Sequence, residues 1–490
     1  MKTKILLLLL SVSTLGFCQQ TENIYSTKDK VDYFAKITDT LRQSGKNPGM
    51  AVAIIYKNQL VFKEVFGYRD VKNRLPVTNN TLFEIASLTK AFTGVIASQL
   101  EKQNKLNWDD KVVKYLPDFK LQDDYATQNA TLKDLFTHNV GLAQHFYMIY
   151  GPQLTKSELL ERIPFLSFNG SFRENFLYNN FMYAVAGMVE ERVTNRTWHE
   201  LMKDSIFTPL GMNHSFTKFD DFLNYKDMTI SYKNDGSTVI PHHGTSEANA
   251  PSGNTTTSTI NDMAIWAKML ANSGNLDGKE FLTKKQFDYL TSPFVVRYPS
   301  AKGFYGIGWN IDAERNVIYH KGSSPGQRSI LTFQPSEGYA IVILTNQESP
   351  LPFLLEDYAN KIFLENDFRR SSDYEKAIVR IANTKESILE TYTIKDDLVL
   401  EELRNLNGRY VHPAYGTIEI DNINKKQFSF KYYGFKGSIK HNKELEFTAY
   451  VDHFMGKDKF KFRVLKGEDR SIVGIEVHMP YSVPLNFVKN

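Results

Sequence analysis

Ser87-Leu88-Thr89-Lys90 places a hydroxyl and an amine three residues apart. On a helix such residues share a face, so Lys90 Nζ can reach Ser87 Oγ. An amine held there accepts the hydroxyl proton if burial or nearby cations lower its pKa, and Ser87 becomes a nucleophile. At the start of a helix Ser87 also offers its backbone N–H to a developing oxyanion. Alone the pattern is weak, because a capping serine followed by a solvated lysine is spelled the same way. Two further groups give it company. Tyr178-Asn179-Asn180 sets a phenol and a carboxamide two residues apart. Tyr178 can move a proton as general base or acid, and Asn180 can orient the lysine and a substrate amide. His320-Lys321-Gly322 ends a strand-like run and leads into Ser323-Ser324-Pro325-Gly326. Gly322 would let a substrate approach the strand edge, and the Ser323 N–H is placed to be a second oxyanion donor.

Other chemical signals are weaker. Gly322 to Gly326 also spells G-x-S-x-G, but that elbow needs a following helix, and Ser329 to Phe333 reads as a strand. His242-His243 has no H-x-H-x-D or H-E-x-x-H context and no carboxylate at ligand spacing, so no metal is expected. His138 reads as a structural residue hydrogen-bonded to a neighbouring loop rather than a base.

The elements that must position these residues follow from periodicity. Met50 to Ile55 and Leu60 to Phe66 are apolar runs joined by Tyr56-Lys57-Asn58-Gln59, a β-hairpin pattern. From Ser87 onward Leu88, Phe92, Val95, Ile96 and Leu100 recur at helical steps, ending near Gln103-Asn104-Lys105. Further helices are signalled by Thr131 to Asp134 before Leu135, by Phe181 to Val189, and by Ile260 to Leu270 with Asn261 or Asp262 near its start. Strands return at Val317 to His320, Ser329 to Phe333 and Ala340 to Leu344, the last two separated by the turn Pro335 to Gly338. The charged stretch from Phe368 to Tyr392 predicts a connecting helix. Beyond Leu406, short aromatic strands such as Phe428 to Phe430 and Phe460 to Val464 alternate with turns expected at Gly434, Gly456, Gly467 and Gly474. That pattern predicts a small all-β unit, sandwich or barrel, whose aromatic residues serve packing.

The chain has 490 residues, 42% hydrophobic and 23% charged, which belongs to a globular protein and exceeds what one core usually supports. A net charge of +4 without a basic block gives no electrostatic reason to expect nucleic acid as ligand. Met1 to Cys18 reads as a signal peptide: Lys2 and Lys4, an apolar stretch too short to span a bilayer, then small residues before Gln19-Gln20. The protein is therefore expected to be exported, periplasmic or secreted. The competing reading is a lipid anchor on Cys18, against which bulky Phe17 counts. Cleavage would remove Lys2 and Lys4 and lower the net charge from +4 to +2. It would also remove the single cysteine, so there is no disulfide framework or thiolate metal site, and the nucleophile has to be an oxygen.

Taken together, the motifs Ser87/Lys90, Tyr178/Asn180 and His320/Gly322 resemble those of the penicillin-recognising serine hydrolases, of the class C β-lactamase and D-alanyl-D-alanine carboxypeptidase type. Leu135 to Leu142, Ile206 to Met212 and Tyr305 to Trp309 are similar to that family too, and the resemblance covers about residues 30 to 365. It implies an α/β (α+β) fold: an antiparallel sheet flanked by helices, an all-helical subdomain, and the site at their boundary. The expected division is a signal peptide over 1–18, the hydrolase unit over 30–368, a helical linker over 369–397, and a lipocalin-like β unit over 398–490. By the same resemblance Ser87 forms an acyl-enzyme on a small amide or ester substrate, most readily a D-amino-acid peptide, without a cofactor. Lys90 and Tyr178 manage the protons, with the choice of base left open, and the Ser87 and Ser323 N–H groups bind the oxyanion. Histidine at 320 resembles the peptidase, aminopeptidase and esterase branches and is expected to make activity sensitive to pH near neutrality. Lys321 stands where the family has Thr or Ser for a substrate carboxylate; it either supplies a cation or points away. An esterase or β-lactamase of the same fold is the alternative within the class, and a non-catalytic binding or assembly protein the alternative outside it. The C-terminal unit resembles domains that cover the catalytic cleft or mediate assembly.

Overall fold

In the computed structural model of the chain, Lys57 and Asn58 both have positive φ, 51° and 60°. This two-residue turn matches the twist of the strands it joins, and pairs β1 (Gly49–Tyr56) with β2 (Gln59–Asp70) antiparallel. The structure describes residues 25–239, 246–253, 255–369, 372–383, 392–394, 405–424, 426–453, 456–480 and 482–490. The leader reading at 1–18, the His242-His243 pair and the expected boundary at Leu398 lie outside them.

The hairpin belongs to a nine-stranded sheet. Its other strands are β3 (Leu75–Pro76), β4 (Val295–Tyr298), β5 (Gly303–Tyr305), β6 (Asn310–Asp312), β7 (Val317–Ser324), β8 (Gln327–Gln334) and β9 (Tyr339–Thr345). The order is β4-β5-β6-β7-β8-β9-β1-β2-β3, with every neighbouring pair antiparallel. The principal helices are α1 (Thr27–Ser44), α2 (Thr89–Lys102), α3 (Phe146–Tyr150), α4 (Asn180–Thr194), α5 (Ile260–Ala271), α6 (Leu351–Leu364) and α7 (Ser372–Ala382).

Alternation along β1 assigns the two faces. Met50, Val52 and Ile54 join Ile341 and Ile343 of β9 against Phe34 of α1 and Leu355 of α6. Ala51, Ala53 and Ile55 join Val342 and Leu344 in the core shared with Phe92 of α2 and Trp266 of α5. With helices on both faces, β1 and β9 are buried at every residue and read as continuous apolar runs rather than alternating ones. The helix α5 starts at Ile260 with Asn261 and Asp262 in its first turn, and its cap is Thr259, which accepts the Asp262 N–H at 3.2 Å.

Eight further strands close into a barrel in chain order: β10 (Gly408–His412), β11 (Gly416–Asn424), β12 (Gln427–Tyr432), β13 (Phe435–Lys443), β14 (Glu446–His453), β15 (Gly456–Lys466), β16 (Ile472–His478) and β17 (Leu485–Lys489). Phe430, Tyr432, Phe447, Phe462 and Phe487 are among the buried residues that fill it. Gly474 corrects an expectation. It lies inside β16 rather than at a turn, where a Cβ would sit 2.5 Å from the Phe487 carbonyl oxygen of β17.

The barrel is docked on the helical side of the sheet unit through α3. The Tyr147 ring lies 5.5 Å from Phe435 and 4.8 Å from Phe460 of the barrel, and its hydroxyl donates to Asp458 Oδ2 of β15. His145 Nδ1 pairs with the Tyr415 hydroxyl at 2.9 Å, and Arg162 donates to the Ala414 carbonyl at 3.1 Å. One buried apolar cluster runs through both units.

Candidate active site

Ser87 sits in a 3-10 turn, Ala86–Leu88, that runs directly into α2. The turn is strained: Ala86 has φ 48°. Opposite it, Gly253 has φ 113°, and a Cβ there would lie 2.1 Å from the Ala86 carbonyl oxygen and 2.9 Å from Ser87 N. Gly322 plays a similar part. A Cβ on Gly322 would meet Ser329 Oγ at 2.0 Å and the Ile85 carbonyl oxygen at 2.3 Å. Its missing side chain lets β7 approach the segment leading to Ser87. Ser329 Oγ donates to that same Ile85 carbonyl at 2.8 Å.

Lys90 lies one turn along and is fully buried. Its Nζ is 3.2 Å from Ser87 Oγ, 2.6 Å from Asn180 Oδ1 and 2.7 Å from the Ser252 carbonyl oxygen. Burial holds the amine well below its ordinary range. A neutral amine has two N–H groups and one lone pair. Asn180 Oδ1 and the Ser252 carbonyl can only accept, so they take the two N–H groups, and the lone pair is left for the Ser87 hydroxyl.

Asn180 opens α4, and Asn179 caps it by accepting the Met182 N–H at 3.2 Å. The Asn179 N–H is in turn held by His138 Nδ1 at 3.1 Å. The buried His138 ring lies 4.4 Å from the Tyr178 ring, so the bond expected from His138 to a neighbouring loop fixes the Tyr178-Asn180 turn. Burial raises the Tyr178 phenol above its ordinary range, opposed by the neighbouring Ser87 side chain. The phenol therefore stays protonated at neutral pH.

His320 is 3% exposed. Its Nδ1 donates to the Lys321 carbonyl at 2.8 Å, and its Nε2 accepts from the Tyr305 hydroxyl at 3.0 Å. Burial, then repulsion from Lys90, holds the imidazole down to about 3. This overturns the expected titration near neutrality: the ring is neutral throughout that range. The Lys321 ammonium lies over the Phe353 ring of α6 at 4.5 Å, although the residue also borders the cleft. The turn after β7 leads into β8, so the G-x-S-x-G elbow is absent, as expected.

Ser87, Tyr178, Asn180, His320, Lys321 and Ser323 border a cleft of about 740 Å³, the size of a small-ligand site. Gly322 is not among its lining residues. Several lining residues had no motif to mark them: Glu84, Tyr150, Arg297, Arg328, Glu348, and Lys457 and Asp458 from the barrel. Arg297 stands out because its Nε is buried without a hydrogen-bond partner while another guanidinium nitrogen donates to Asn310 Oδ1. The group is packed over the Phe176 and Tyr298 rings at 5.2 and 4.7 Å. The only hint in sequence was a charge inside the short run Phe294 to Tyr298. Among the described residues no cluster of His, Cys, Asp or Glu could hold a metal ion, and no helix is long and apolar enough to cross a membrane.

Comparison with known proteins gives this geometry a context. The family described as Beta-lactamase matches residues 34–364. Protein flp of Staphylococcus aureus (strain NCTC 8325 / PS 47) is 27% identical over 342 residues, 69% of this chain and 67% of that protein. Unguisins hydrolase ungD' of Aspergillus campestris (strain IBT 28561) is 23% identical over 423 residues, 79% of this chain and 77% of that protein. The fold is also that of the octameric penicillin-binding protein homologue from Pyrococcus abyssi. The TM-score is 0.62 at 20% identity, over 94% of this chain and 100% of that one.

Proposed function

Because the chain belongs to the Beta-lactamase family, we propose that it is an exported serine hydrolase that acylates Ser87 and hydrolyses small amide or ester substrates, D-amino-acid-containing peptides first among them. Ser87 Oγ adds to the carbonyl carbon while its proton passes to the Lys90 lone pair. The carbonyl electrons move to oxygen, which the Ser87 and Ser323 N–H groups receive. Collapse of the adduct breaks the C–N or C–O bond, and the leaving group takes the proton from Lys90, directly or through Tyr178. Water then repeats the sequence on the acyl-enzyme, releasing the acid and restoring Ser87.

The observation that carries this reading is the Lys90 amine, 3.2 Å from Ser87 Oγ, its proton affinity lowered by burial, with two acceptors to occupy N–H groups. Between Lys90 and Tyr178, the lowered amine and the raised phenol favour Lys90 as acylation base. His320, with both ring nitrogens engaged, orients the strand end rather than moving a proton. Arg297 is suited to receive a substrate carboxylate, the task for which Lys321 is turned aside over Phe353. The printed name of the Aspergillus relative, a hydrolase, supports the reaction class. Export rests on the character of residues 1–18.

Ser87→Ala should abolish covalent labelling by a fluorophosphonate, read by intact mass. Labelling that persists moves the nucleophile elsewhere. Parallel assays with p-nitrophenyl acetate, nitrocefin and D-alanyl peptides separate the peptidase from an esterase or β-lactamase. No turnover by a folded protein across that panel would favour a binding or assembly role.

A further inference from the structure

Glu84 places a carboxyl group in the cleft wall with no counter-ion among the described residues. It lies three residues before Ser87, on a two-residue strand, Phe83–Glu84, paired with Thr257–Ser258. Its backbone is already fixed there: the Glu84 N–H donates to Gln327 Oε1 at 3.0 Å, and Glu84 faces Thr257 across the bridge. The carboxyl adds nothing to that attachment, yet it borders the cleft beside the Ser324 side chain. It makes no ion pair among the described residues.

The charged groups around it are committed elsewhere. From β8, Arg328 donates to the Ser324 and Gln327 carbonyls, at 2.9 and 2.8 Å. Glu348, beyond β9, accepts the Gly326 N–H at 3.0 Å. From α3 comes the Tyr150 phenol, and from β15 come Lys457 and Asp458, the latter bonded to Tyr147. A cation borders the same cleft among different neighbours. Arg297 lies with Tyr178 and His320 and has no carboxylate partner among the described residues. A cleft that holds an unpaired carboxyl beside Ser324 and an unpaired guanidinium beside Tyr178 and His320 fits a short molecule carrying both an amine and a carboxylate.

Resting on the hydrolase reading, we propose that Glu84 recognises a protonated amine on the substrate, so that this cleft selects short zwitterionic peptides, with a free amine toward Glu84 and a carboxylate toward Arg297. Burial supports the assignment by raising the Glu84 carboxyl to about 7. The group is therefore easily ionised by an arriving ammonium and costs little to keep in an empty cleft. A free α-amine ionises near 8, so recognition should strengthen as pH rises from 6 to 7.5 and fade above about 8.5. Over that range the Tyr150 phenol stays neutral because burial raises it.

The experiment compares D-alanyl-D-alanine with its N-acetyl form as a ratio. Affinities are measured by calorimetry on the Ser87→Ala protein, so that binding is read whether or not Ser87 proves to be a nucleophile. Failure of acylation then counts against the hydrolase reading alone. The free dipeptide should bind about ten-fold or more tightly than the acetylated one, the scale of a charge-assisted hydrogen bond. In Glu84→Gln that ratio should collapse toward one, and in Glu84→Asp it should largely survive. If Glu84→Gln misfolds by circular dichroism, the pH dependence of the ratio in the Glu84 protein decides. Equal binding of the two forms, a ratio unchanged by Glu84→Gln, or a ratio flat from pH 6 to 7.5 would overturn the proposal.

Discussion

His320 is a neutral ring locked between two partners, and its environment converts directly into a pH dependence of stability. Its folded pKa, about 3, lies below the 6.5 of an unfolded histidine. As pH falls from 6.5 the unfolded chain takes up a proton that the folded one refuses, so stability is lost progressively down to about pH 3. The loss approaches on the order of 5 kcal/mol. We expect the melting temperature of His320→Gln to fall less steeply between pH 6.5 and 4 than that of the unmodified protein. Identical slopes would mean that the imidazole is solvated. On the proposed assignment of the proton transfers to Lys90 and Tyr178, activity should show no imidazole limb near neutrality. At this scale Ser87, Lys90, Tyr178 and Asn180 were legible because their chemistry depends on short spacings along one turn or one cap. Glu84, Arg297 and the Ser252 carbonyl were not, because what makes each of them functional is a neighbour tens to hundreds of residues away.

Among elements, the 3-10 turn that presents Ser87 depends on another segment of chain. Ala86 keeps φ 48° because Gly253, itself at φ 113°, leaves room for its carbonyl. Gly253→Ala would drive a methyl group into that oxygen and add an unfavourable φ. The cost should be roughly 2–4 kcal/mol, and the displaced Ser87 should lose about a hundred-fold or more in kcat. A variant with normal activity would show that the turn holds without the glycine. The hairpin through Lys57-Asn58 and the helices α2, α4 and α5 were readable from periodicity and turn chemistry. The glycines were harder: Gly474 reads as a turn yet lies inside a strand, and both it and Gly322 mark a close approach of distant backbone, Phe487 in one case and Ile85 in the other. Composition along a segment carries no trace of what presses against it.

For the molecule as a whole, the decisive contact is Tyr147 of α3, held between Phe435 and Phe460 and bonded to Asp458. Tyr147→Ala removes a buried aromatic ring and its hydrogen bond, a loss of about 3–5 kcal/mol concentrated at the junction. Scanning calorimetry should then show two transitions where the intact protein melts in one; a single transition in the variant would place the coupling elsewhere. The aromatic strands after Leu406 announced an all-β unit, but not its docking, since Tyr147 and Asp458 are separated by 311 positions.

The barrel closes only when its last strand, β17, pairs Lys489 with Tyr410 of β10. Lys457 and Asp458 reach the cleft from a strand of that barrel. The Ser87 turn and Tyr178 lie hundreds of positions earlier in the sequence, yet the wall of the cleft they border is finished by these two barrel residues. A chain whose barrel has not closed therefore holds Ser87 beside an incomplete pocket, and completing that pocket waits on the pairing of β17 with β10.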